Sequence, residues 1–125
     1  MSKEKGNDLK VILKAKELSL HTIRVTSNID HFPKKYRHTI VDRMQLISMD
    51  IYETLVRANT INNVTAREAR CETITSAITS CTILGTYIEF SMELGLIKPK
   101  SAEYWSKLVS DVKYLAIGWR TAQSK

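Results

Sequence analysis

Apolar residues recur every three to four positions in four stretches of this chain, with short breaks between them. In the first stretch Val11, Ala15, Leu18, Thr22, Val25 and Ile29 are spaced four, three, four, three and four apart, which is one face of an α-helix. The second carries Tyr36, Ile40, Met44, Ile47, Ile51, Leu55 and Ala58, widened by Val41, Leu46, Met49, Tyr52 and Val56. A helix that apolar is either central in its own fold or also covered by another subunit. Ile74, Ala77, Cys81, Leu84 and Ile88 form the third row, and Trp105, Leu108, Val112, Leu115 and Trp119 the fourth.

The breaks are legible too. Asp30-His31-Phe32-Pro33 ends the first helix, because proline suits a helix start and the residue before it resists helical geometry. Asn59 through Asn63 forms the second break, and Thr65 with Glu68 three residues on reads as a capping box. Gly95 stands where a helix-ending glycine belongs, Pro99 follows, and Ser101 is the expected cap of the last helix. The β-branched run from Thr73 to Thr79 tolerates a strand reading, but the three-four spacing runs through it unbroken. The threonines of this stretch suggest close packing between helices, and Gly85 within it suggests a close helix–helix approach.

The pattern thus predicts an all-α chain, with helices at about 8–29, 33–59, 65–94 and 101–122 after a frayed lead-in. Short connections favour antiparallel neighbours, so the expected architecture is an up-down-up-down four-helix bundle, one domain over residues 1–125. There is no secretory leader, and the longest uncharged run, 73–88, is too short and too rich in Thr and Ser to span a bilayer. Cys71 and Cys81 are ten residues apart on one expected helix, about 15 Å of rise, so they cannot pair with each other. This suits a cytoplasmic location.

Charge changes the picture. Nineteen Lys and Arg against thirteen Asp and Glu give a net charge of +6, which favours polyanionic partners. Lys10, Lys14, Glu17, His21 and Arg24 form a second row on the first helix, basic or potentially basic apart from Glu17. Lys34, Lys35, Arg37 and His38 crowd the start of the second, against its dipole. Lys98 and Lys100 lie between the third and fourth, a connection expected at the same end as the first. Catalytic chemistry is not visible. His21, His31 and His38 are too scattered for a shared metal site, and Asp42, Asp50 and Glu53 read as a solvated face. No glycine-rich phosphate loop is present, and neither a cofactor nor a metal is implied.

Several stretches resemble the Avd-like four-helix-bundle family, accessory proteins of diversity-generating retroelements related to the proteins encoded by intervening sequences of bacterial 23S rRNA genes. Phe32-Pro33-Lys34-Lys35-Tyr36-Arg37 is similar to that family's Phe-Pro-basic entry to its second helix. Arg43 opens a long apolar helix ending in Arg57-Ala58-Asn59. Leu84 through Leu96 is similar to the family's apolar third-helix end, and Ile117-Gly118-Trp119 to its Gly-Gly-Trp ending, which Ala116 and Ile117 match in part. Asn59-Thr60-Ile61-Asn62-Asn63 departs from the intervening-sequence branch and favours the Avd branch. The resemblance implies a non-enzymatic homopentamer with a basic surface. It would bind template RNA or cDNA and a reverse transcriptase, in support of mutagenic retrohoming. On the residue pattern, the contacts to nucleic acid fall to Lys10, Lys14, Arg24, Lys34, Lys35, Arg37 and Arg43. The alternative is an intervening-sequence-type bundle acting as a structural or protein-interaction module.

Overall fold

The computed structural model describes residues 2–61 and 64–123, with side chains from Leu9 onward. The chain is all-α: among the described residues there is no strand. Four long helices, α1 (Ser2–Thr26), α2 (Asp42–Thr60), α3 (Arg67–Glu93) and α4 (Pro99–Gln123), carry the structure. Each packs on two others: α1 on α2 and α4, and α3 on α2 and α4. No helix among the described residues is long and apolar enough to cross a membrane.

The four rows become one core. Val11, Ala15, Leu18, Met44, Ile51, Leu55, Ile74, Leu84, Ile88, Trp105, Val112 and Trp119 are all buried in it. Small hydroxyls are buried with them, and they stitch the helices together. Ser19 Oγ donates to the Ser48 carbonyl (2.8 Å), Gln45 Nε2 to Thr26 Oγ1 (2.9 Å) and Trp105 Nε1 to Thr22 Oγ1 (3.0 Å). Buried polar groups satisfied in this way fix helix register at little cost, whereas an unpaired one would be expensive.

Helix boundaries differ from the sequence expectation in physically informative ways. α1 starts at Ser2, inside the expected lead-in at 1–7, and ends at Thr26, short of the expected 29. The second helix does not run unbroken from Pro33. A 3₁₀ turn (Lys34–Tyr36) and a π-helical turn (Arg37–Val41) precede α2. Pro33 at φ −58° and ψ 156° is extended and cannot donate, and buried Phe32 anchors the entry, its N–H bonded to the Asn28 carbonyl at 2.8 Å. Ile40 within the π turn and Met44 in the first turn of α2 are both buried. The capping box is replaced by a 3₁₀ turn (Val64–Ala66), which leaves Ala66 at the cap position of α3. Asn62 and Asn63 of the same break lie outside the described residues. Ser101 does not cap α4 either: it sits inside the first turn, because Pro99 already opens the helix.

The end of α3 follows the expectation. Gly95 takes φ +77°, its N–H bonds the Met92 carbonyl and the Leu96 N–H bonds the Ser91 carbonyl, both at 2.9 Å. This is the paired 5→2 and 6→1 closure that only a residue free of Cβ strain makes cheaply. The threonines of α3 have a local explanation. Thr73, Thr75, Thr79 and Thr86 donate to carbonyls three or four residues back, at 2.6 to 3.1 Å. Thr75, Thr79 and Thr86 are exposed, so their hydroxyls mainly satisfy their own helix; Thr75 Oγ1 also accepts from Arg120 Nη1 of α4 at 3.2 Å.

Gly85 also departs from expectation. A Cβ built there meets nothing within 4 Å, so no close helix approach requires the glycine. Gly85→Ala should therefore stabilise the protein by about 1 kcal/mol through helix propensity alone, read as a higher urea midpoint at unchanged slope. A lower midpoint would show that a partner surface occupies that space.

Candidate nucleic-acid interface

Where α1 runs out, the chain reverses at Asn28, whose carbonyl accepts the N–H groups of His31 (3.1 Å) and Phe32 (2.8 Å). The Schellman closure at Gly95 reverses the α3–α4 connection alongside. Both connections border one cavity of about 670 Å³. Asn28 and His31 contribute from the first, Leu96, Ile97 and Lys98 from the second, His21, Arg24 and Val25 from α1, and Ser101, Tyr104 and Trp105 from α4. None of the lining residues is a carboxylate. Arg24, Lys98 and His31 are exposed at its edge, and no ion pair among the described residues involves them.

His21 is the inner wall. Its ring meets Tyr104 edge-on at 5.2 Å and Trp105 at 5.8 Å between centroids. Burial lowers its pKa below 6.5, the Arg24 guanidinium lowers it further, and Glu17 partly opposes both. The folded state thus favours the neutral imidazole, and on acidification the unfolded chain takes up its proton first. His21 contributes stability that is intact above about pH 6.5 and lost as pH falls through its native pKa. NMR titration should place the His21 midpoint below 6.5. His21→Leu should remove that share of the acid sensitivity of unfolding; a midpoint above 6.5 would contradict the assignment.

The remaining sequence-selected cations are distributed over three further surfaces. Lys10 and Lys14 border a cleft with Ser110, Asp111 and Tyr114 of α4, about 470 Å³, on the α1–α4 seam that also holds the larger cavity. There Lys14 Nζ pairs with Glu17 at 3.5 Å and Asp111 with Lys107 at 3.4 Å, so this stretch is partly neutralised. Lys34 and Arg37 border a smaller pocket of about 230 Å³ on the other side of the α1–α2 connection, beside Asp42 and Gln45. Lys35 lies over the ring of Tyr36 at 5.2 Å from its centroid. Arg43 stands apart, its Nη1 donating to the Tyr87 hydroxyl at 3.4 Å across the α2–α3 seam.

His21 and His31, separated by ten residues in sequence, line one cavity. His38 does lie elsewhere, 3.0 Å from Asp42. Ser101, Tyr104 and Trp105 were not selected from sequence as binding residues, yet they complete the cavity together with Lys98, which the sequence already placed at this basic end. The signal that could have found them was the shared end of the two connections. Among the described residues no group of three His, Cys, Asp or Glu could hold a metal ion. Cys71 and Cys81 are free thiols, and burial pushes the Cys81 thiol up to about 12. Searches for similar proteins found no matching family model, no matching curated protein and no matching solved structure.

Proposed function

We propose that this protein is a non-enzymatic nucleic-acid-binding accessory factor built as an antiparallel up-down-up-down four-helix bundle. The bundle reading is supported by successive pairs on each seam, Ser19–Ser48 and Thr26–Gln45, Arg43–Tyr87 and Asp50–Ser80, Arg70–Gln123 and Thr75–Arg120, in which rising positions on one helix meet falling positions on the next. The observation that carries the functional reading is the carboxylate-free cavity lined by Arg24 from the last turn of α1 and Lys98 from the α3–α4 connection, continued along the α1–α4 seam toward Lys14 and Lys10. Cations arranged along a surface neutralise backbone phosphates by counterion release and read no sequence. In the Avd-like setting that the sequence resembles, the polyanion is template RNA or cDNA, the working partner is a reverse transcriptase and the assembly is a homopentamer.

Filter retention of single-stranded RNA and DNA tests the reading. Retention should be strong at low salt, fall steeply as salt rises and vary little with sequence. No retention at low salt rejects nucleic acid as the ligand. Co-purification with a reverse transcriptase encoded beside the gene tests the partner.

A second reading is favoured by a separate observation. Leu46 and Met49 of α2 and Ile83 and Phe90 of α3 are exposed, with Leu46 at 69% and Phe90 at 58%. Exposed apolar side chains on neighbouring helices suit protein contact. An intervening-sequence-type interaction module would oligomerise through them without salt-sensitive retention of nucleic acid. Light scattering run beside the salt titration separates the two readings.

A further inference from the structure

We propose that the cavity between the ends of α1 and α4 seats a single unstacked nucleotide, its base against the Tyr104 ring and its phosphate at Arg24 and Lys98. The inference rests on the nucleic-acid reading above and goes further, because neutralising a backbone needs cations only. This cavity has more than cations. Its volume of about 670 Å³ falls in the range of sites that enclose a small ligand. An aromatic wall lines it, with Tyr104 about half exposed at 51% and held at a fixed angle by His21, which is itself braced by buried Trp105. A half-exposed ring beside two cations is the combination that binds a base by its face and a phosphate by its charge. The polar groups of Asn28 and Ser101 line the same space and can meet base or sugar edges. The first turn of α4 contains no acidic residue, so nothing on that helix end competes with a ligand phosphate. A base paired in a duplex cannot enter, so the site selects single strands.

The test uses the full chain and a fluorescent single strand, with adenosine monophosphate, adenosine and inorganic phosphate as competitors. Adenosine monophosphate should displace the strand, with the other two at least about tenfold weaker, because each supplies only half of the interaction. Tyr104→Ala should weaken the nucleotide about tenfold and Tyr104→Phe should restore it, since stacking needs the ring and not the hydroxyl. Arg24→Ala with Lys98→Ala should weaken it comparably. Lys34→Ala with Arg37→Ala should weaken the strand and leave the nucleotide unchanged. On binding, the NMR ring signals of His21 and His31 should move and those of His38 should not.

Phosphate competing as well as the nucleotide would overturn the proposal, leaving a plain anion site. Salt-sensitive strand binding with no competition by the nucleotide would also overturn it, while the broader nucleic-acid reading stands. Nucleotide binding without strand binding would keep the cavity assignment and reject the broader reading. Equal affinity for the strand and its blunt duplex would reject the single-strand selection.

Discussion

Trp105→Ala should cost about 3–5 kcal/mol, a large share of the roughly 5–15 kcal/mol that holds a domain of this size folded. The indole is fully buried and packs where α4 crosses α1. Truncation removes its apolar area, leaves a cavity and strands the Thr22 hydroxyl that accepts its N–H at 3.0 Å. Thermal or urea unfolding followed by circular dichroism reads the loss. Trp119 provides the internal comparison. It is just as buried, but its Nε1 has no protein acceptor. Trp119→Phe removes an unpaired donor, whereas Trp105→Phe removes a paired one. Trp105→Phe should therefore destabilise by about 1–2 kcal/mol more than Trp119→Phe. Equal effects would mean that the Thr22 bond contributes nothing, and that the buried hydroxyls of α1 do not set helix register.

Those hydroxyls also mark the limit of what the amino-acid pattern reveals. The apolar rows located four helices and most of the core, because a helix that buries one face must repeat every three to four residues. The rows set Met44, fully buried, apart from Leu46, 69% exposed, but they counted Ile29, 58% exposed, as inward and left buried Phe32 in a break. All are apolar, and at the helix ends only the packing partners decide which faces inward. The π turn at Arg37–Val41 was invisible too: the row Tyr36, Ile40, Met44 runs through it at ordinary helical spacing, so it carries no local signature. Caps depend on backbone geometry, so Thr65 and Ser101 looked like caps, while Ala66 stands at the cap of α3 and α4 already begins at Pro99. The site divided in the same way. Its residue types were legible as a basic excess, and Lys10, Lys14 and Arg24 were legible as one row. That the row borders α4, and that His31 and Lys98 close the cavity beside it, needed the chain reversals at Asn28 and Gly95.

Replacing Arg24, Lys34, Arg37 and Lys98 together by Ala should weaken single-strand binding by about 10² to 10³ near 0.1 M salt, at little cost in stability. Each lysine or arginine that neutralises a phosphate on a single strand contributes about 0.7 to the slope of log affinity against log salt, so four lost contacts flatten it by about 3. Arg24, Lys34, Arg37 and Lys98 are exposed, so their removal leaves the core intact. The loss should be uniform across sequences, because phosphates carry no sequence information. Arg43→Ala supplies the contrast. That guanidinium lies on the α2–α3 seam against Tyr87 and lines neither pocket that holds the other four, so its removal should change affinity by less than about threefold. The Lys10→Ala, Lys14→Ala pair should fall between the two, because Glu17 and Asp111 already offset part of that charge. If all three variant sets lose affinity in simple proportion to the charge removed, binding is a property of net charge and no face of the molecule is special. If the loss is concentrated at the four loop-end positions, the interface is located there.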